Sequence, residues 1–282
     1  MAELDPSSLF NVKGLVAVIT GGGTGIGLMM AKALEANGAI VYILGRRQEV
    51  LEKAASTSKH GNIHAVKADV TSKSSLSAAV AHIAEKSGYV NLVIANSGIT
   101  GPSNFGLAKD ASITEYRKSL FDCDPDEFNY TYAVNTTAVF YTIVAFLELL
   151  DKGNKAGNVE QKSQVVIVSS GLAFARQSIA GHAYSGSKAA AVHMGKRFST
   201  ELVPYDIRSN VIAPGLFPSE LTEEFIAQME SWPREYIPEQ RPGDVKDMSG
   251  TILFLSSRAG SYINGNVLLI DGGGISLLPG TY

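Results

Sequence analysis

The chain has 282 residues, 45% of them hydrophobic and 18% charged, with a formal net charge of −3. That is enough chain and enough apolar surface for one large core, and the slight acidity offers no electrostatic footprint for nucleic acid or an anionic membrane surface. The single cysteine, Cys123, leaves no intrachain disulfide and no multi-cysteine metal site, and it fits a reducing, cytoplasmic setting.

Residues 1–12 read as a polar arm with early acids, unlike a signal peptide, and no run of about twenty apolar residues offers a membrane span. Leu15 to Thr20 is the first buried strand. It runs into Gly21-Gly22-Gly23-Thr24-Gly25-Ile26-Gly27 and then a helical pattern from Leu28 to Asn37. Strand, glycine turn and helix in that order make a dinucleotide site. The glycines let the backbone approach a pyrophosphate, which the free N–H groups of the helix N-terminus attract. Gly21, Gly23, Thr24, Gly25, Ile26 and Gly27 are therefore candidate cofactor contacts.

The second strand, Ile40 to Leu44, ends at Gly45-Arg46-Arg47. A site for NAD usually carries an acid here, for the ribose 2′-hydroxyl. Two guanidiniums suit a phosphate instead, so Arg46 and Arg47 point to NADP(H). A helix over Glu49–Lys59 and a strand over Ile63–Lys67 lead to Asp69-Val70. Asp69 stands either to accept from an adenine amino group, with Val70 on the ring, or to cap the helix that begins near Ser72. After a helix over Ser75–Ser87, the strand Leu92-Val93-Ile94 meets Ala95-Asn96-Ser97-Gly98. Thr100 to Asp126 reads as an elaborated loop, and Lys152 to Ser163, polar and glycine-bearing, as a surface loop.

Val165 to Val168 is a β-branched buried strand with Ser169 and Ser170 at its carboxyl end, where open α/β sheets place ligands. Ala183 to Ala191 begins a helix that puts Tyr184 and Lys188 one turn apart on one face. A free tyrosine has a pKa of roughly 10. An ammonium one turn away favours the phenolate, draws that value down and makes the phenol a usable proton donor or acceptor. A serine hydroxyl on the strand end, Ser169 or Ser170, would hold a substrate oxygen against it. His182, a lone histidine in a turn, reads as structural. Beyond Pro214-Gly215, the mixed apolar and acidic segment 216–241 reads as a substrate lid, and Asp247 to Leu255 as the last long helix.

Taken together these motifs resemble the classical short-chain dehydrogenase/reductase family over nearly the whole chain, with a hint of its fungal members in the Lys152–Ser163 insert and the Pro-Gly-Leu-Phe-Pro-Ser-Glu-Leu-Thr segment. Thr20-Gly21-x-x-x-Gly25-x-Gly27 matches its cofactor loop, and Ala95-Asn96-Ser97-Gly98 stands where the family reads Asn-Asn-Ala-Gly, keeping Asn96 and Gly98. Ala133-Val134-Asn135 matches the catalytic asparagine. Ser170, Tyr184 and Lys188 match the rest of the tetrad, counting back from Tyr184 favouring Ser170 over Ser169. Asn210 to Gly215 and Leu268 to Gly273 match its last two strands.

The resemblance implies an α/β fold: a single Rossmann domain over residues 1–282, a doubly wound parallel sheet with helices on both faces. It implies an oxidoreductase moving a hydride between NADP(H) and a carbonyl or alcohol substrate. Imine reduction, a biosynthetic rearrangement and a non-enzymatic NADP(H)-binding module are the alternatives. It further implies that Lys188 holds the nicotinamide ribose, that Asn135 kinks its helix and holds a water, and that Pro214, Gly215, Phe217 and Ser219 meet the nicotinamide. A homodimer or homotetramer, with the tail from Ile275 in subunit contacts, completes the expectation.

Overall fold

The structure is a computed structural model that describes residues 4–103, 106–108, 110–177 and 180–281. Parts of the arm, of the 100–126 segment and of the tail, Tyr282 included, lie outside the described residues. After a short helix α1 (Pro6–Leu9), the chain alternates strand and helix. β1 (Val16–Thr20), α2 (Gly25–Ala36), β2 (Ile40–Gly45), α3 (Gln48–Ala55), β3 (Ile63–Lys67), α4 (Lys73–Ser87) and β4 (Leu92–Ala95) form the first half. Then come α5 (Ile113–Phe121), α6 (Pro125–Tyr132), α7 (Ala138–Ala156), β5 (Gln164–Val168), α8 (His182–Glu201), β6 (Arg208–Pro214), α9 (Glu223–Gln228), α10 (Val245–Ser256) and β7 (Val267–Ile270).

The strands make one seven-stranded sheet in the order β3-β2-β1-β4-β5-β6-β7, and every pairing is parallel. The two-residue period of a strand sends alternate side chains of β1 to opposite faces. Val16 and Val18 join Phe146, Leu150 and Ala191 on one side. Ala17 and Ile19 join Met30, Leu34 and Ile252 on the other. Both faces are thus covered by helices, which is why the central strands are apolar throughout. The strand order reverses between β1 and β4, and the crevice at their carboxyl ends is where such sheets bind ligands.

Two expected loops are partly helical. Within Thr100–Asp126, Ser112 caps α5: its hydroxyl accepts from the Glu115 N–H at 3.3 Å, and the Glu115 carboxylate accepts from the Ser112 N–H at 2.8 Å. α6 then starts at Pro125, behind the cap residue Asp124. The Lys152–Ser163 loop is also shorter than expected, because α7 continues to Ala156 and ends at Gly157 with φ +61°. Gly153 does not break that helix. It is where α7 presses on the sheet, since a Cβ there would lie 2.1 Å from the Val90 carbonyl oxygen.

α6 and α7 are joined through a π-helical turn, Ala133–Thr137. The whole run, Pro125–Ala156, is long and apolar enough to cross a membrane by length and composition. Here Ile143, Phe146, Leu149 and Leu150 from it pack into the core against the sheet.

Candidate active site

A cleft of about 550 Å³ runs along the carboxyl ends of β1, β2, β4 and β5. Fifteen of the expected residues line it: Gly21, Gly23, Thr24, Gly25, Ile26, Gly27, Arg46, Arg47, Asp69, Val70, Asn96, Gly98, Tyr184, Lys188 and Ser219. Asn135, Ser170, Pro214, Gly215 and Phe217 are not among the lining residues, and Ser169 is. The Phe217 side chain is 3% exposed and joins the core beside Met248 and Ile252.

The glycine turn has its shape because backbone packs on backbone. A Cβ on Gly27 would lie 2.2 Å from the Gly21 carbonyl oxygen, a distance no side chain tolerates. Asn96 holds this turn from β4, its Nδ2 donating to the carbonyls of Thr20 at 2.9 Å and Gly21 at 3.2 Å. The Thr20 hydroxyl accepts from the N–H groups of Asn96 and Ser97 at 2.9 and 3.1 Å. A cradle this close to the start of α2 suits a pyrophosphate and leaves no room for a side chain in its place.

Farther along the cleft, Asp69 accepts through Oδ1 from the Thr71 N–H and hydroxyl at 2.9 and 2.7 Å. Those bonds, with Arg46 contributing at longer range, hold its carboxyl below the usual range. Asp69 therefore closes a turn of its own, and the cap of α4 is Ser72. Arg46 Nη1 donates to the Tyr130 phenol at 3.0 Å, and Arg47 pairs with Glu220 at 2.7 Å. Tyr130 and Glu220 line the cleft as well, and sequence reasoning passed over both as site residues. Tyr130 sits five residues before Asn135 with no motif of its own, and Glu220 was visible only as one acid among several in 216–241.

At the other end lies the buried polar group around α8. Ser170 hydrogen-bonds the Tyr184 phenol and accepts from the Leu172 N–H at 3.2 Å. Ser169 lines the cleft, but its hydroxyl is engaged elsewhere, donating to the Lys188 carbonyl at 2.8 Å. The structure thus separates the two serines that strand position alone left open. Lys188 is 4% exposed. Its Nζ donates to the Val168 carbonyl at 3.1 Å and stands 5.8 Å from the Tyr184 ring centroid. Asn135 lies in the π-helical turn between α6 and α7, the kind of turn that recurs at functional sites. It clamps Ile99 from both sides, accepting from its N–H and donating to its carbonyl, each at 2.9 Å, and donates to the Ser187 hydroxyl at 3.0 Å.

One expectation is corrected. Although Tyr184 is only half-buried in the cleft wall, desolvation there pushes its phenol above its ordinary value, and the Ser170 hydrogen bond only partly offsets that. Lys188 aims its ammonium at a backbone carbonyl and not at the phenol oxygen, so desolvation wins. The same burial draws Lys188 down to about 8, which leaves it charged at neutral pH.

The loop between Ser170 and Tyr184 is pinned by the tail. The Arg176 N–H donates to the Pro279 carbonyl at 2.7 Å and the Thr281 N–H to the Phe174 carbonyl at 2.8 Å.

A family model described as short chain dehydrogenase matches residues 15–230. The chain is 48% identical over 286 residues to the short-chain dehydrogenase/reductase PhomF of Diaporthe leptostromiformis, covering 99% of this chain and 98% of that one. It is 33% identical to the gluconate 5-dehydrogenase of Gluconobacter oxydans, covering 94% and 96%. Among solved structures, the Pseudomonas aeruginosa RhlG/NADP active-site complex superposes with a TM-score of 0.79 at 28% identity, over 95% of this chain and 98% of that chain. The chain belongs to the short-chain dehydrogenase family, an oxidoreductase family that binds a nicotinamide cofactor.

Proposed function

We propose that this short-chain dehydrogenase reduces a carbonyl to an alcohol, or reverses that reaction, with NADP(H) as the redox partner. The observation that carries the reading is that Tyr184, hydrogen-bonded to Ser170 behind it, and Lys188 line one end of a glycine-cradled cleft whose other end carries Arg46 and Arg47. When bound, the nicotinamide supplies or accepts the hydride. The protein does the rest. Ser170 and Tyr184 hold the substrate oxygen and stabilise the negative charge that grows on it during reduction. Tyr184, whose proton is retained at neutral pH because burial raises its pKa, donates that proton to the oxygen. Lys188 keeps a positive charge near the phenol below pH about 8 and would hold the nicotinamide ribose. Asn135 fixes Ile99 and Ser187, and through them the walls beside α8.

At the far end, Arg46 and Arg47 are the groups for a 2′-phosphate. Phe217 and Ser219 would meet the nicotinamide through backbone groups, which the buried Phe217 side chain permits. Segment 216–241 is the substrate lid. A small carbonyl or alcohol is the substrate, the enzyme works in the cytoplasm as a homodimer or homotetramer, and no nucleic acid or membrane takes part.

The test is oxidation of NADPH and of NADH by the purified protein against a panel of aliphatic, cyclic and aromatic ketones. Turnover with NADPH in excess over NADH supports the reading. Preference for NADH removes the arginine argument, and inertness toward every ketone with turnover of cyclic imines removes the carbonyl argument.

A further inference from the structure

The two arginines after β2 are held from two different directions. Tyr130, on α6, takes Arg46. Arg47 reaches Glu220, its Nη2 donating to both carboxylate oxygens at 2.9 and 2.7 Å. Glu220 is 173 residues further along the chain, at the tip of a tight turn. In that turn the Glu223 N–H donates to the Ser219 carbonyl at 2.8 Å, and the hydroxyls of Ser219 and Thr222 share a hydrogen bond at 3.0 Å. Arg47, Ser219, Glu220 and Leu221 all line the cleft, so this ion pair is part of its wall. A second contact lies at the same place: a Cβ on Gly25 would come within 2.8 Å of the Ser219 Cβ. The turn that follows β6 therefore rests on the glycine loop and is tied by its carboxylate to the guanidinium.

That carboxylate takes the Nη2 edge of the guanidinium with both of its oxygens, an edge a phosphate would also draw on. A dianionic 2′-phosphate drawn to Arg47 meets like charge from Glu220, whereas a ribose 2′-hydroxyl does not. We infer that Glu220 is a clasp on the cofactor cleft: Glu220 and the 2′-phosphate of NADP(H) are alternative partners of Arg47, so filling the phosphate position and placing the 216–241 segment are coupled. The inference rests on the NADP(H) reading above. Glu220 is on this account a residue that sets cofactor specificity by opposing the phosphate, while Arg46 donates to the Tyr130 hydroxyl and not to a carboxylate. The side chains of Arg47 and Glu220 are 55% and 52% exposed. Such pairs are weak and screened by salt, so the coupling is a matter of a few-fold, suited to tuning.

The test uses adenosine 2′,5′-bisphosphate and AMP, probes that share the adenosine and differ in the 2′-phosphate. Their affinities are measured by calorimetry for the wild type, Glu220→Gln and Glu220→Asp. The emission of Trp232 is followed alongside, since it is the chain's only tryptophan, lies within 216–241 and packs on Phe225 and Tyr236 at 6.2 and 6.0 Å. At low salt Glu220→Gln should bind the bisphosphate about two- to fivefold tighter with AMP unchanged. Glu220→Asp should stay near wild type, and high salt should erase the gain. In the wild type the bisphosphate should shift Trp232 emission and AMP should not. Equal bisphosphate affinity in the wild type and Glu220→Gln, or the same Trp232 response to both probes, overturns the clasp. A wild type that binds the two probes equally counts against the NADP(H) reading. If Glu220→Gln then gains a preference for the bisphosphate, the clasp stands; if it gains none, the clasp falls too.

Discussion

Replacing Lys188 by methionine should abolish activity and stabilise the protein. Lys188 is buried among the residues of the sheet end, with the Val168 carbonyl at 3.1 Å as its hydrogen-bond acceptor. Burial alone lowers its pKa from 10.5 to about 8. At roughly 1.4 kcal/mol for each tenfold change in proton affinity, holding that ammonium at neutral pH costs about 3 kcal/mol. Methionine keeps most of the stem's volume but leaves the Val168 carbonyl without its donor, a loss of about 1 kcal/mol. The net gain is about 2 kcal/mol, worth several degrees in melting temperature for a chain of this size.

The pH dependence fixes the cause. The folded pKa lies below the unfolded one, so wild type carries the whole penalty below pH about 8. As pH rises toward 10.5 the folded protein releases a proton the unfolded chain keeps, and the penalty fades. Urea unfolding of wild type and Lys188→Met at pH 7 and pH 9.5 should therefore show a gap that shrinks at the higher pH. A variant less stable than wild type at pH 7, or a gap that does not change with pH, would refute the reasoning.

Three further outcomes follow from the geometry. Arg46→Ala and Arg47→Ala should each weaken NADPH binding by roughly tenfold or more, as expected for a lost charge-assisted hydrogen bond, and leave NADH binding unchanged by calorimetry; equal losses for both cofactors would show that the arginines do not read the phosphate. The rate of carbonyl reduction should fall as pH rises through about 8, where Lys188 loses its charge; a rate flat to pH 10 would remove the Lys188 charge from the chemistry. Gly153→Ala, which puts a methyl group 2.1 Å from the Val90 carbonyl oxygen, should lower stability by about 1–3 kcal/mol in urea titration, and an unchanged midpoint would mean α7 can shift off β4.

The central strands were readable because both faces of the sheet are covered there, so Leu15–Thr20 shows as an apolar run and differs from β1 by one residue; the edge strand Ile63–Lys67, half-exposed, still ends where expected. The site was readable for a related reason. Pyrophosphate cradles need glycine at fixed spacing, and one helical turn between Tyr184 and Lys188 survives any detail of packing. Ser170 could not be told from Ser169 by alternation, since both follow the last regular residue of β5 and the chain turns there.

The helix α5 was missed although Ser112-Ile113-Thr114-Glu115 carries the capping-box pattern, because the glycines and charges around it read as loop. Gly153 misled in the opposite direction, a glycine kept for close packing and read as a breaker. What no local pattern held was the pairing of Arg47 with Glu220 and of Arg46 with Tyr130, contacts between elements far apart in the chain. The desolvation of Tyr184 was equally invisible: its half-buried place in the cleft wall depends on how α8 seats against β5.

The central claim is that Tyr184 passes the proton in a carbonyl reduction driven by NADPH. It is tested most directly by comparing wild type and Tyr184→Phe for NADPH-dependent reduction of the best ketone from the panel, with NADPH affinity measured on the same samples. The account predicts a rate lower by roughly a hundred- to ten-thousandfold at unchanged NADPH affinity, since the change removes one hydroxyl and leaves the cradle intact. Turnover that survives in Tyr184→Phe would contradict it and place the proton donor elsewhere in the cleft.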